Sequence, residues 1–298
     1  MASQSVELVP QPSPRPQRRK IKPGRITARV LIHVVLVIGA ITMLLPVLWM
    51  VATSLSSTMY ATTFPPQFFP TQLFPGNFVK VLSNPMLAQG LLNSVIVVVP
   101  SILGQVICSS AGAFAFARMR APGKRFLFVL CISTMLIPVE VLLIPQFIEF
   151  KYLGWLNTLL PLIATQVFGN AYNIFLMRQF FMTIPLEYDE AARIDGLGFF
   201  GIWWRIILPL STPVLTTIAV FSFTYNWGVL LTPMVFIHST QSETLTQVLY
   251  NMSLTSNLEV VPPWNLIMAG SMLLTIPMVI VYFFAQRNIY ETNVLGKV

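Results

Sequence analysis

Apolar residues in this chain come in long blocks separated by short polar connections. Six blocks, near Val30–Ser54, Leu91–Phe116, Phe126–Ile148, Leu156–Phe180, Ile206–Ile237 and Leu266–Ala285, each exceed the ~18 apolar residues that mark a spanning helix. They predict an all-α membrane protein with six transmembrane helices over residues 30–298, in which spans and connections consume nearly the whole length. No room is left for a separate soluble domain. Residues 1–29 are rich in Pro and Arg and lack periodicity, which predicts a disordered tail. A signal peptide is the competing reading, but the first block outruns an h-region of about 7–15 residues and no small-x-small site follows.

Features inside the blocks refine this pattern. "SSAGAFAFA" (Ser109–Ala117) has the composition that lets two membrane helices approach closely. Pro100, Pro138, Pro145 and Pro233 predict kinks, tolerable where neighbouring helices or water satisfy the released carbonyls. The carboxylate deepest in an apolar run is Glu140. Its position towards the outer end of the third block favours a structural hydrogen bond over a proton relay. Outside the blocks, "FPPQFFPTQLFPGNF" (Phe64–Phe78) holds four prolines and predicts an extended crossing. The segment from Ser239 to Asn265 reads as a polar external connection.

Composition removes several function classes. Hydrophobic residues make up 55% of the 298 and charged ones 9%, where a soluble domain carries about 25% charged residues. The net charge of +8 does not imply nucleic acid, because its basic residues flank spans instead of lining a folded face with aromatic platforms. Sixteen of the eighteen Lys and Arg fall in the N-terminal tail, the 117–125 loop, the 181–205 loop with adjacent Arg178, and the C-terminus; only Lys80 and Lys151 lie elsewhere. That asymmetry places both termini in the cytoplasm. Cys108 and Cys131 lie within apolar runs and read as packing residues, and no Cys/His cluster suggests a metal site.

The 181–205 loop concentrates the acidic residues: Glu187, Asp189, Glu190 and Asp195 are four of the ten in the chain. Pro185 suits a first helical turn, and Glu187, Asp189 and Glu190 then meet the positive end of the helix dipole. Arg193 follows Glu190 at i+3 and can pair with it. Gly196 fits a left-handed C-terminal cap. A short cytoplasmic helix is therefore predicted from Pro185 to about Asp195, with Ala191 and Ala192 as a small face. "FFGIWWRII" follows as an interfacial piece, with Trp203 and Trp204 at headgroup depth, and Pro209 and Pro213 mark the turn into the fifth span.

The spacing in this loop is Glu190-Ala191-Ala192, three residues, Gly196, nine residues, Ile206, one residue, then Leu208-Pro209. It resembles the EAA loop of permease subunits of bacterial ABC importers. "RQFFMTIPLEYDEAARIDG" (Arg178–Gly196), "LLNSVIVVVP…AGAFAFARMRAPGKR" (Leu91–Arg125) and "LGWLNTLLPLI" (Leu153–Ile163) are similar to the carbohydrate-uptake, maltose-type branch. The resemblance implies a type I importer permease fold in the bacterial inner membrane. It also implies an EAA helix that docks on a cytoplasmic ATPase, with Glu190, Ala191, Ala192 and Gly196 as docking positions and Leu208 and Pro209 fixing the restart of the span. Implied partners are a second permease subunit, an ATPase dimer that consumes the ATP, and an external substrate-binding protein.

The chain departs from the family at two places. The fifth span has Tyr225-Asn226-Trp227 where the family often shows Trp-Asn followed by an acid or similar residue. These three residues are candidates for the substrate pathway, against a reading as helix packing with Asn226 bonded across helices. The tail "QRNIYETNVLGKV" lacks a Gly-rich ending.

No GxxxxGK[ST] loop is present, so the chain itself is expected to bind no ATP in that manner and to act as a pore subunit, not an enzyme. A secondary carrier would need ionisable coupling residues near midplane, which off-centre Glu140 does not supply. A membrane-embedded enzyme would cluster Asp, His or Cys at one boundary, whereas His33 and His238 lie on opposite sides. The branch suggests a sugar, oligosaccharide or sugar-like solute.

Overall fold

Proline, glycine and small polar caps divide the apolar blocks into more pieces than hydropathy alone suggests. The computed structural model describes residues 23–58, 70, 72–254 and 262–295. The chain separates into two units, Met1–Leu48 and Trp49–Val298. The described part of the first unit is supplied by α1 (Pro23–Ser54). Pro23 sits at its first position, where a missing N–H is harmless. Side chains from Val30 to Leu48 are exposed, an apolar surface suited to lipid. The helix thus begins at Pro23, and residues 23–29 are helical instead of part of an irregular tail; residues 1–22 lie outside the described residues.

The second unit begins with α2 (Gly76–Ser83) and α3 (Pro85–Arg118). Gly76 to Phe78 are therefore helical and not extended, and 64–69 lie outside the described residues. Asn84 caps α3, its side chain accepting from Met86 N at 3.0 Å. Then come α4 (Lys124–Ser133), a 3-10 turn at Thr134–Leu136, and α5 (Val139–Tyr152). The third predicted span is bent by 95° at this break. Ile137, ahead of Pro138, is extended at φ −86° and ψ 114°, because the proline ring disfavours the helical region for its predecessor.

The fourth block divides into α6 (Leu160–Val167) and α7 (Ala171–Thr183). Gly169 takes φ +79° and Asn170 caps α7 by accepting from Asn173 N at 2.9 Å. Next are α8 (Glu187–Ile194), α9 (Phe199–Ile202), a π-helical turn at Trp203–Ile207, and α10 (Leu208–Leu210). A bend of 82° then leads into α11 (Thr212–Gly228), followed by α12 (Leu231–Phe236), α13 (Leu245–Leu254) and α14 (Trp264–Leu295). The predicted fifth block therefore opens in the π-helical turn and α10, and its long continuous helix begins after the bend at Thr212.

Among the described residues, three helices are long and apolar enough to cross a membrane, or up to five if each bent pair counts as one span. Six crossings were predicted. Two of the differences are the bent pairs, and the third is the break that separates α6 from α7, neither of which has the ~20 residues a span needs.

Within the second unit α3 is the central element, packed against α6, α7, α11 and α13. Its small residues make this possible. A Cβ on Gly104 would lie 2.5 Å from the carbonyl oxygen of Val167, and one on Gly112 would already touch Ile174. The close approach predicted for "SSAGAFAFA" is therefore real and begins earlier, at Gly104. The segment after Ser239 differs from a plain polar connection. Leu245, Val248 and Leu249 of α13 are buried with Val81, Leu87 and Ala269, and Asn93 Nδ2 donates to the carbonyls of Gln241 and Glu243 at 2.9 and 2.8 Å.

Candidate functional site

Two places hold the chemistry-bearing residues, one at the EAA loop and one within the helices. The loop is built around α8. The helix starts at Glu187, with Pro185 outside it, and Leu186 O accepts from Asp189 N at 2.9 Å and Glu190 N at 3.1 Å. It ends as the glycine predicts. Gly196 has φ +84°, Gly196 N donates to Arg193 O at 3.0 Å, and Leu197 N donates to Ala192 O at 2.9 Å. This pair of bonds is a Schellman cap, which requires the left-handed residue that glycine adopts without a Cβ penalty.

The two faces of α8 are chemically distinct. Ala192 is buried against Ala113, Met177, Phe181, Ile202, Ile207 and their neighbours, so it is the residue that seats the helix. Ala191 points the other way and is exposed, as are Glu190 and Gly196. The predicted small face therefore splits into one inward and one outward alanine. Ile194 is 87% exposed, with Leu186 and Tyr188 also open. The expected Glu190–Arg193 pair does not form. Arg193 instead stands over the Phe199 ring at 5.3 Å.

Beneath α8 lies an ion pair that sequence reading missed. Asp189 is only 4% exposed, and its Oδ2 is 3.5 Å from Arg118 Nε at the end of α3. Arg118 Nη2 also donates to Ile184 O at 2.6 Å. Arg118 reads in sequence as a loop-flanking charge and Asp189 as a helix-dipole charge; nothing local says that they meet.

The re-entry is anchored more deeply than expected. Trp203 is buried in the same cluster as Ala192, while Trp204 is exposed. One tryptophan thus packs inside and only the other remains available to an interface. Leu208 packs on this cluster and Pro209 is exposed one residue later, at the start of the bend into α11.

The second place is a cleft of 740 Å³ lined by α3, α5, α6, α7 and α11. Its polar wall is a chain of amides. Gln105 Nε2 donates to Gln166 Oε1 at 2.7 Å, while Gln105 Oε1 accepts from Asn173 Nδ2 at 2.9 Å and from Ser222 Oγ at 2.5 Å. Tyr172, Phe221 and Tyr225 add aromatic surface, and no Asp, Glu, Lys or Arg contributes to the described lining. Burying amides among membrane helices is expensive unless they are paired, and this pairing is what keeps them there. Three amides inside apolar blocks were a legible signal, but spacings of 61 and 68 residues gave no reason to join them.

The predicted trio lands in three settings. Tyr225 borders the 740 Å³ cleft. Asn226 borders an adjoining void of 10 Å³ that shares Thr165, Gln166 and Tyr225 with the cleft, about the room one water requires. Its Nδ2 donates to Ser222 O at 2.8 Å on its own helix, not across to another. Trp227 is buried and donates from Nε1 to Leu274 O at 2.9 Å, tying α11 to α14. Glu140 is exposed in the first turn of α5, where a helix N-terminus favours an acid.

Comparison with known proteins gives the family and the fold. Residues 108–291 match the profile of the family described as binding-protein-dependent transport system inner membrane component. The sn-glycerol-3-phosphate transport system permease protein UgpE of Brucella abortus is 32% identical over 272 residues, covering 86% of this chain and 92% of its own. The diacetylchitobiose uptake system permease protein NgcG of Streptomyces coelicolor is 27% identical over 260 residues, covering 86% and 84%. In fold, the chain is similar to one in the crystal structure of a bacterial ABC transporter involved in the import of the acidic polysaccharide alginate. That match has a TM-score of 0.81 and 24% identity over 91% of this chain and 99% of the other.

Proposed function

Because this chain belongs to the binding-protein-dependent transport system inner membrane component family, we propose that it forms one half of the pore of an ATP-driven importer. It takes its energy from a cytoplasmic ATPase dimer docked on α8. The observation that carries this reading is the construction of α8. The helix is capped at Gly196 and seated through Ala192 and Asp189, and it presents Glu190, Ala191 and apolar Ile194 outward. A rigid helix with one anchored face and one open, partly apolar face is suited to insertion in a partner's groove.

In this reading the chain crosses the membrane six times, each interrupted segment counting as one crossing, with both termini and α8 in the cytoplasm as the Lys/Arg asymmetry requires. A second permease chain completes the pore and an external binding protein delivers the solute. With no phosphate-binding loop, the chain itself binds no ATP in the P-loop manner, and ATP is used by the partner subunits.

The solute path follows the 740 Å³ cleft, with Gln105, Gln166, Asn173 and Tyr225 as its polar wall. Amides both donate and accept, as sugar hydroxyls do, and the wall carries no charge. A neutral sugar or oligosaccharide fits it better than an anion, so the closer functional parallel is the chitobiose permease and not the glycerol-phosphate one.

The test is reconstitution in vesicles with the partner subunits. The isolated chain is expected to hydrolyse no ATP, and the assembled complex to import solute only with ATP inside and binding protein outside. Glu190→Lys, in complexes that still assemble, should uncouple hydrolysis from uptake. Tightly coupled uptake by that variant would refute α8 as the docking element. Competition by an anionic sugar as strong as by a neutral one would refute the proposed character of the path.

A further inference from the structure

We infer that Arg118 and Asp189 are positioning residues that deliver movement of the docking helix to α3. The inference rests on α8 being the ATPase-docking element. Arg118 is the last residue of α3 and Asp189 the third of α8. Their side chains are 4% and 5% exposed, with Nε and Oδ2 3.5 Å apart. The same guanidinium donates to Ile184 O at 2.6 Å, in the short link that joins α7 to α8. One side chain therefore holds the end of α3, the entry to α8 and α8 itself.

A pair in this position is not explained by stability. Removing two charges from water is costly, and apolar residues of similar volume commonly serve a fold as well or better. The pair offers direction instead. Ala192 seats α8 with a single methyl group, which resists separation but not sliding or rocking. The ion pair resists sliding because its energy falls as the charges move apart, and the bond from Arg118 Nη2 to Ile184 O adds a directional contact at the entry to α8. Neither Arg118 Nε nor Asp189 Oδ1 has a hydrogen-bond partner, so the two side chains are joined by charge, and the guanidinium is fixed by its bond to Ile184 O. The link reaches the cleft along a stiff element. Gln105 lies on α3 thirteen residues before Arg118, or about 20 Å at 1.5 Å per residue. A shift of α8 transmitted to the end of α3 is thus carried to the residue on which Gln166, Asn173 and Ser222 converge.

The decisive variants are Asp189→Asn, which keeps shape and removes charge, and the double change Arg118→Met with Asp189→Leu, which replaces the pair by apolar volume. Both are read in reconstituted complexes normalised to bound ATPase. Basal hydrolysis and ATPase association should persist, while stimulation by solute-loaded binding protein falls about tenfold, within the range of an ordinary allosteric coupling. Arg118→Lys keeps a charge but not the fork to Ile184 and should fall between. Full stimulation in either assembled variant overturns the inference, and so does failure of both variants to assemble, which marks the pair as a folding determinant. Failure of the docking reading looks different: ATPase association then proves insensitive to Glu190→Lys in an otherwise unchanged protein.

Discussion

Gly196 allows a test in which backbone conformation is separated from packing. The residue has φ +84°, and a Cβ built on it meets nothing within 4 Å. Any effect of substitution within this chain is therefore conformational, and comparison of Val with Asn separates it from direct contact with the partner. For a residue with a side chain the left-handed region costs about 1–2 kcal/mol, with β-branched residues at the upper end. At 1.4 kcal/mol per factor of ten, this is about five- to thirtyfold in the equilibrium between capped and uncapped helix ends. Uncapping loses the bonds from Gly196 N to Arg193 O and Leu197 N to Ala192 O. If the ATPase binds only the capped form, its Kd rises by at most the same factor, reached where the uncapped form comes to dominate.

The assay is titration of the ATPase subunit onto the permease complex in nanodiscs. Gly196→Val should weaken binding by up to about thirtyfold, Gly196→Ala by less, and Gly196→Asn least, since Asn tolerates the left-handed region. The melting temperature of the permease should fall by only a few degrees, because no packing is lost at exposed Gly196 and each kcal/mol of strain is worth about 2–4 °C in a chain of this size. Equal affinities for Val and Asn would refute the conformational argument. A large loss of melting temperature would show that the cap serves the spans and not the docking face.

Four further outcomes are expected. Ala192→Leu should lower thermal stability by about 1–3 kcal/mol through overpacking, whereas exposed Ala191→Leu should spare stability and weaken ATPase association; like effects of the two in thermal melts would contradict the assigned faces. Gly104→Ala should destabilise by a similar ~1–3 kcal/mol, because its Cβ would fall 2.5 Å from Val167 O, and an unchanged melting curve would deny that close approach. Glu243 is buried, and burial raises its pKa while the 3.0 Å bond from Asn251 partly offsets the rise. The folded state thus binds the proton more tightly than the unfolded chain, and this contribution, full below the ordinary glutamate value of about 4.3, is lost as pH rises through the raised value. Glu243→Gln should flatten that decline and slow hydrogen exchange in α13 at neutral pH; an undiminished decline would point to another group. A cysteine at position 196, with Cys108 and Cys131 replaced, should react with an impermeant reagent only from the cytoplasmic side.

The features legible in sequence are those in which a residue acts on its own backbone or within one helical turn. Gly196 announces a left-handed cap because that conformation excludes most side chains, whatever lies around it. Pro138 announces a break because its ring constrains Ile137. The apolar blocks announce a membrane because each side chain's preference for lipid adds independently along the run. Leu245, Val248 and Leu249 carry a helical spacing of the same local kind, masked by the polar residues around them.

Tertiary structure decided which polar groups meet and which faces remain open. Arg118 and Asp189 are 71 positions apart, and each had an adequate local explanation until the end of α3 was packed under α8. Gln105, Gln166, Asn173 and Ser222 stand on four helices, and only the packing of α6, α7 and α11 around α3, close at Gly104, brings three amides and a hydroxyl within bonding distance. Ala191 and Ala192 are equivalent in composition, yet one seats the helix and the other is exposed. The reason is physical. Burial and ion pairing depend on helix azimuth and on the fit of distant surfaces, and neither is encoded within the reach of a single turn.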